Sequence, residues 1–258
     1  MAGRVEPKGS LVLHQYANTR FGCPPDWRRV GWPNPLEQTD MSYLSLDPDA
    51  NTPYTEAWRE RTRLFHEESI ARVNQVIAKH RILDDGNLGL AAEKILLLNA
   101  SLTVKRRRFI ELANTFNSAI SEGIACRSGC NACCSLITYI YEYEAEAMSK
   151  ASGRPFAKVP LRRKEDVFAK AQQYFRQPCP FLQDGKCSVY AHRPMICRLH
   201  HTFNPDASQC DTSIPKEQLL GSTVYDPDCI ETPYHALNQN RQPPEPWGAI
   251  QDFFPTTS

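Results

Sequence analysis

Seven cysteines of this 258-residue chain fall in two short stretches. Cys126-Arg-Ser-Gly-Cys130-Asn-Ala-Cys133-Cys134 packs four thiols into nine residues, and Cys179, Cys187 and Cys197 form a second group. A thiolate is a soft ligand that suits Zn²⁺, Cu(I) or an iron–sulfur cluster. The C-x-x-C spacing lets the backbone turn so that both sulfurs face one point, and Gly129 eases that turn. A structural zinc and a cubane cluster each take four ligands. Seven thiols exceed that need, so either two metals bind or the spare thiols are structural or redox-active. If the segment is extended, Cys133 and Cys134 point to opposite sides. Cys133 would then serve one site, with Cys134 turned to a second site or a packing position. A disulfide framework is the rival use. The N-terminus lacks a basic-then-apolar signal pattern, which points to a reducing compartment, the cytoplasm, where clustered thiols bind metal more often than they crosslink. Cys23 stands apart and reads as a small buried hydrophobe. Cys210, Cys229 and the pair His200-His201 stay open as further ligands.

Other chemistry is sparse. There is no phosphate-binding glycine loop, no serine nucleophile elbow and no His-Glu-x-x-His pair. The string C-x3-C-x2-C also occurs in radical S-adenosylmethionine enzymes, but no βαβ rhythm follows it here. Lys plus Arg number 30 and Asp plus Glu 29, a net charge of +1. That balance argues against a general nucleic-acid or anionic-membrane binder. Apolar runs stop at four or five residues, as at Ile95-Leu96-Leu97-Leu98, far below the roughly 20 a membrane span needs. The 41% hydrophobic content is that of a globular chain. Lys105-Arg106-Arg107-Arg108 reads as a solvated helix face with one stem tucked over apolar surface; the rival is a small patch for an anion or an acidic partner.

The elements that must position the thiols can be sketched. Residues 1–53 form a proline-rich irregular arm whose Trp27, Trp32 and Tyr43 suggest that it packs on something. Helical spacing runs from Tyr54 to about His80. After the turn Asp84-Asp85-Gly86-Asn87, Leu88, Ile95, Leu102, Phe109 and Phe116 recur every seven residues. This predicts one helix from Leu88 to Glu122, about 50 Å long, paired with the first as a hairpin. Leu136–Tyr141 alternates like a strand, Glu142–Ser149 reads as a short helix ending near Gly153, and Arg162–Arg176 as an amphipathic helix. Asp184-Gly185 predicts a tight hairpin between Leu182 and Cys187. From Asn238 the chain returns to proline-rich irregular structure. The expectation is a mainly α fold: a helical hairpin or bundle (54–122), an irregular cysteine-rich metal-binding region with a short hairpin (123–237), and a proline-rich tail (238–258).

Taken together, Cys126-x3-Cys130-x2-Cys133-Cys134, Cys179-Pro-Phe-Leu-Gln-Asp-Gly-Lys-Cys187-Ser-Val-Tyr190 and Arg193-Pro-Met-Ile-Cys197-Arg198 resemble the zinc- or iron-chelating cysteine-cluster family, the YkgJ-like proteins, over about residues 123–203. The resemblance implies metal binding through Cys126, Cys130, Cys133, Cys134, Cys179, Cys187 and Cys197. Flagellin lysine N-methylases, thought to carry an iron–sulfur cluster, resemble the same family and raise methyl transfer as an activity. Arg193 and Arg198 flank the last thiol; either could give positive charge or hydrogen bonds to a thiolate centre, or pair with surface acids. The first reading is a cysteine-ligated metal protein with an iron–sulfur cluster ahead of zinc, on the excess of thiols and the methylase resemblance. The alternatives are a metal-dependent modifying enzyme such as a protein methyltransferase, a metal chaperone or buffer, and a zinc-knuckle module for a protein partner. Catalytic residues and any small-molecule substrate are not readable from the sequence.

Overall fold

The computed structural model describes residues 19–22, 56–84, 86–127, 129–215 and 218–255. The arm predicted over 1–53, with Trp27, Trp32, Tyr43 and Cys23, lies outside the described residues except for a strand, β1 (Thr19–Gly22). The fold is mainly α. Helix α1 (Glu56–Lys79) leads through a 3-10 turn to α2 (Asn87–Leu97) and α3 (Leu102–Ile120).

The single helix predicted from Leu88 to Glu122 is therefore two helices. Leu98 turns extended (φ −56°, ψ 133°), and Ser101 caps α3 by accepting the Val104 N–H at 3.4 Å. A hydroxyl that takes a backbone donor competes with helix continuation. The four residues between the helices amount to about one turn, so the seven-residue spacing runs on across the break. On α3, Phe109, Leu112, Ala113, Phe116, Ala119 and Ile120 are buried along one stripe.

Next come β2 (Tyr139–Tyr141), α4 (Glu142–Ser152) and α5 (Lys164–Ala171), the last extended by a 3-10 turn to Tyr174. β3 (Leu182–Gln183) and β4 (Lys186–Cys187) form the predicted hairpin, and α6 (Met195–Leu199) carries Cys197. Strand β5 (Thr223–Asp226) pairs in parallel with β1, and α7 (Asp228–Gln239) follows. The C-terminal stretch is not the irregular tail its prolines predict. β6 (Trp247–Ala249) pairs antiparallel with β2, and α8 (Ile250–Phe253) is buried. The sequence Trp-Gly-Ala-Ile-Gln-Asp-Phe-Phe is apolar enough to be drawn into the core once the prolines are passed.

Two hydrophobic clusters result. The larger joins Val73, Val76, Leu88, Ile95, Phe109 and Phe116 to Leu199, Phe203, Tyr225 and Tyr234. The smaller holds Ile140, Met148, Phe181, Val189, Ile250, Phe253 and Phe254, with Cys179 and Cys187 packed against it. The cysteine-bearing segments thus lean on both clusters. Among the described residues no helix is long and apolar enough to cross a membrane.

Candidate metal centre

Backbone hydrogen bonds draw the two cysteine stretches together. Cys179 N–H donates to the Cys134 carbonyl at 2.7 Å, and Ala125 N–H to the Thr202 carbonyl at 2.9 Å. Asn131 Nδ2 donates to the Gly185 carbonyl at 3.2 Å, which ties the first stretch to the tip of the β3–β4 hairpin. That tip has φ +48° at Asp184 and +72° at Gly185. Positive φ at both positions suits the right-handed twist of a two-residue hairpin, and Asp-Gly is the dipeptide that tolerates it. Gly129, at φ +89°, turns the chain between Cys126 and Cys130.

Cys133 is the hub of the thiols. Its charge reaches Cys126, Cys179, Cys197 and Cys210. Cys210 is within electrostatic reach of Cys126 and Cys130 as well, and Cys197 of Cys179 and Cys187. Cys133 and Cys134 share a 3-10 turn, Ala132–Ser135, rather than an extended segment. The opposite-sided arrangement expected of a strand therefore does not arise. All of these thiols are partly buried and free, which excludes disulfides among the seven predicted residues.

Burial pushes the Cys126 thiol up to about 11 and the Cys210 thiol to about 12, and raises Cys179 and Cys197. The Cys133 thiol is raised first by its hydrogen bond to Cys134 and then by burial. Thiols held protonated at neutral pH must release protons to a metal that binds them.

The donor set is sulfur, and that chemistry suits a soft ion. As they stand, no three of the described Cys, His, Asp or Glu side chains converge tightly enough to hold an ion. Capture would take rotation of the thiols within the basin. Residues that could hold zinc or iron there are Cys126, Cys130, Cys133, Cys134, Cys179, Cys187 and Cys197, and Cys210 is within electrostatic reach of the first three. The parity of the cysteine count is the signal that could have recruited it, because eight thiols make two sets of four. Cys229, by contrast, is buried in the larger cluster at the start of α7.

The neighbouring polar residues sort clearly. His201 is no ligand, because both ring nitrogens are used. Nδ1 bonds the Leu199 carbonyl at 2.6 Å and Nε2 accepts the Tyr225 N–H at 3.0 Å. Burial holds it neutral, with a pKa near 4. His200 is exposed. Arg198 is spent on structure: its guanidinium donates to Asn114 Oδ1, the Ala191 carbonyl and the Arg193 carbonyl at 2.7, 2.7 and 2.9 Å. Glu144 positions the helix that carries Cys197. It accepts the Met195 N–H that opens α6 at 2.8 Å, the Tyr234 hydroxyl at 2.8 Å and the Tyr141 N–H at 2.9 Å. Burial lifts its carboxyl to about 7.

Residues 125–215 match the sequence model of the CxxCxxCC family, described as a "putative zinc- or iron-chelating domain". The match takes in all seven predicted cysteines and Cys210, and agrees with a metal bound through cysteine as zinc or iron. No curated protein and no solved structure matches the chain, so the likeness to flagellin methylases finds no support there.

Proposed function

We propose that this protein binds an iron–sulfur cluster, in preference to zinc, through Cys126, Cys130, Cys133, Cys134, Cys179, Cys187 and Cys197, with Cys210 as an eighth thiol. The observation that supports the reading is the hydrogen bonding of the two cysteine stretches to each other, with eight free, half-buried thiols among the described residues. A structural zinc takes four ligands; twice that number supports either a cluster with reserve thiols or two sites. When bound, a cluster supplies one-electron chemistry or a rigid structural node. The chain's own part is to hold the segments together through Cys134–Cys179, Ala125–Thr202 and Asn131–Gly185. Region 123–237 is the metal-binding part in this reading.

The test is anaerobic purification followed by a visible spectrum and assays of iron, zinc and acid-labile sulfide. A brown protein with broad absorbance near about 400 nm and matching iron and sulfide is expected of a cysteine-held cluster. A colourless protein with zinc and no sulfide overturns the preference for iron–sulfur.

A further inference from the structure

Cys229 stands chemically apart from the other described cysteines. Eight of those are free thiols, whereas Cys229 is disulfide-bonded. The chain has ten cysteines, so the one left to pair with it is Cys23. The strand register agrees. β1 ends at Gly22, which lies across from Asp226 in the parallel ladder with β5. Cys23 is the next residue in sequence, and Cys229 follows Asp226 after Pro227 and Asp228, in the first turn of α7. That turn is compact: Asp228 N–H donates to Asp226 Oδ1 at 3.0 Å, and Ile230 N–H to the Pro227 carbonyl at 2.8 Å. Paired strands lie about 4.8 Å apart, and a disulfide joins Cα atoms roughly 4.4–6.8 Å apart. One residue past Gly22 and one turn past Asp226 are therefore positions from which such a bond can close. β1 has need of the tie. A two-stranded parallel pair is marginal by itself, and among the described residues β1 pairs with β5 alone. Cys229 is 3% exposed, in the larger cluster with Ile230 and Tyr234, so a reductant reaches it only when that cluster opens.

We propose that Cys23 and Cys229 form a structural disulfide that fastens the N-terminal strand to the start of α7, separate from the metal-binding thiols. Closure takes one hydrogen from each thiol. The two electrons and two protons pass to a disulfide oxidant such as oxidised glutathione, which departs as two thiols after a mixed-disulfide intermediate. The bond joins residues about 200 positions apart, and closing so long a loop removes much entropy from the unfolded chain. The inference does not depend on the metal-binding reading above.

The experiment has two parts. Full-length wild-type protein, purified without reductant, is exposed briefly to oxidised glutathione, alkylated in denaturant and mapped by mass spectrometry. The peptides of Cys23 and Cys229 should be recovered as one species, two hydrogen masses lighter than their sum, and should separate when a phosphine reductant is added. Recovery of both as alkylated thiols, or of Cys229 joined to any other cysteine, overturns the pairing. Melting is then compared for wild type, C23S, C229A and the double variant, each with and without the phosphine. Loss of the bond should lower the melting temperature by about 5–15 °C. Reduced wild type should melt with C23S, and the reductant should leave C23S unchanged. The double variant should lose no more than C229A, since both substitutions remove one shared bond. If C229A fails to fold because its side chain lies in the core, C23S decides. A C23S that melts with oxidised wild type overturns the fastening role, as does wild type whose melting is unaltered once alkylation shows the bond reduced. C23S should also take up as much zinc as wild type; a loss of zinc would make Cys23 a ligand and overturn the assignment.

Discussion

Arg106 sits in a run of four basic residues, yet its guanidinium is only about one-eighth exposed, with side-chain exposures of 13% for Arg106 and 11% for Glu245. It donates to Glu245 Oε2 at 2.7 Å and to Asn238 Oδ1 at 2.8 Å, and stacks 3.7 Å over the Tyr143 ring. Lys105 is also spent, on the Leu96 carbonyl; Arg107 and Arg108 face Glu111 outside. The run is thus half internal and half solvated, and no anion patch of four cations exists. R106M should lower stability by about 3 kcal/mol, since it strands Asn238 and half of the Glu245 pairing; urea denaturation measures it. At the thiols, C130S and C187S should lose metal and solubility together, and C210S should lower bound metal if the eighth thiol belongs to the site. Metal analysis of each variant checks this, and full metal content in any one of them removes that residue from the ligand set. The seven cysteines were legible because their types and spacing are chemically narrow. Cys210 was not, because a single cysteine in sequence looks the same whether it is a ligand or a small buried hydrophobe.

At the scale of elements, local signals were legible where one residue decides the backbone. Asp184-Gly185 specified its hairpin and Gly153 closed α4. Periodicity located the buried stripe on Phe109 and Phe116 but hid the break before α3, because one turn of non-helix preserves phase. Ser101 was the visible clue. S101A should cost about 1 kcal/mol through loss of the cap, read from the urea midpoint, with the metal content unchanged. A loss near zero would mean that the break is set by packing of α2 on α7 and α3 rather than by the hydroxyl. The proline count hid the last strand and helix. Prolines 243, 244 and 246 mark how the chain reaches the core, while Phe253 and Phe254 decide that it enters.

Across the whole molecule, buried titrating groups set the pH range of stability. Burial holds His201 and His235 neutral with pKa values near 4, against an ordinary 6.5, and lifts Glu144 to about 7 against 4.5. The histidine contributions are present above pH 6.5 and are lost as pH falls towards 4. The Glu144 contribution is present below 4.5 and is lost as pH rises through 7. Each amounts to at most about 3 kcal/mol. Between pH 6.5 and 4.5 two histidines oppose one carboxyl, so stability falls on acidification. Above 6.5 the unfolded histidines still shed their protons as Glu144 ionises, the two effects nearly cancel, and stability levels off near pH 7. Denaturation across pH 4–8 should therefore show stability rising to a plateau near pH 7, and H201Q should flatten the acid side. The overall α character followed from the helical spacings. The shared core of α2, α3 and α7 did not, because contacts over 130 residues leave no local pattern. The central claim is that two distant stretches of chain furnish one metal centre. Alkylation of each cysteine, with and without bound metal, read residue by residue by mass spectrometry, tests it directly. Metal should protect Cys126–Cys134 and Cys179–Cys197 together and in the same titration. Protection of one stretch alone, or of neither, would contradict it.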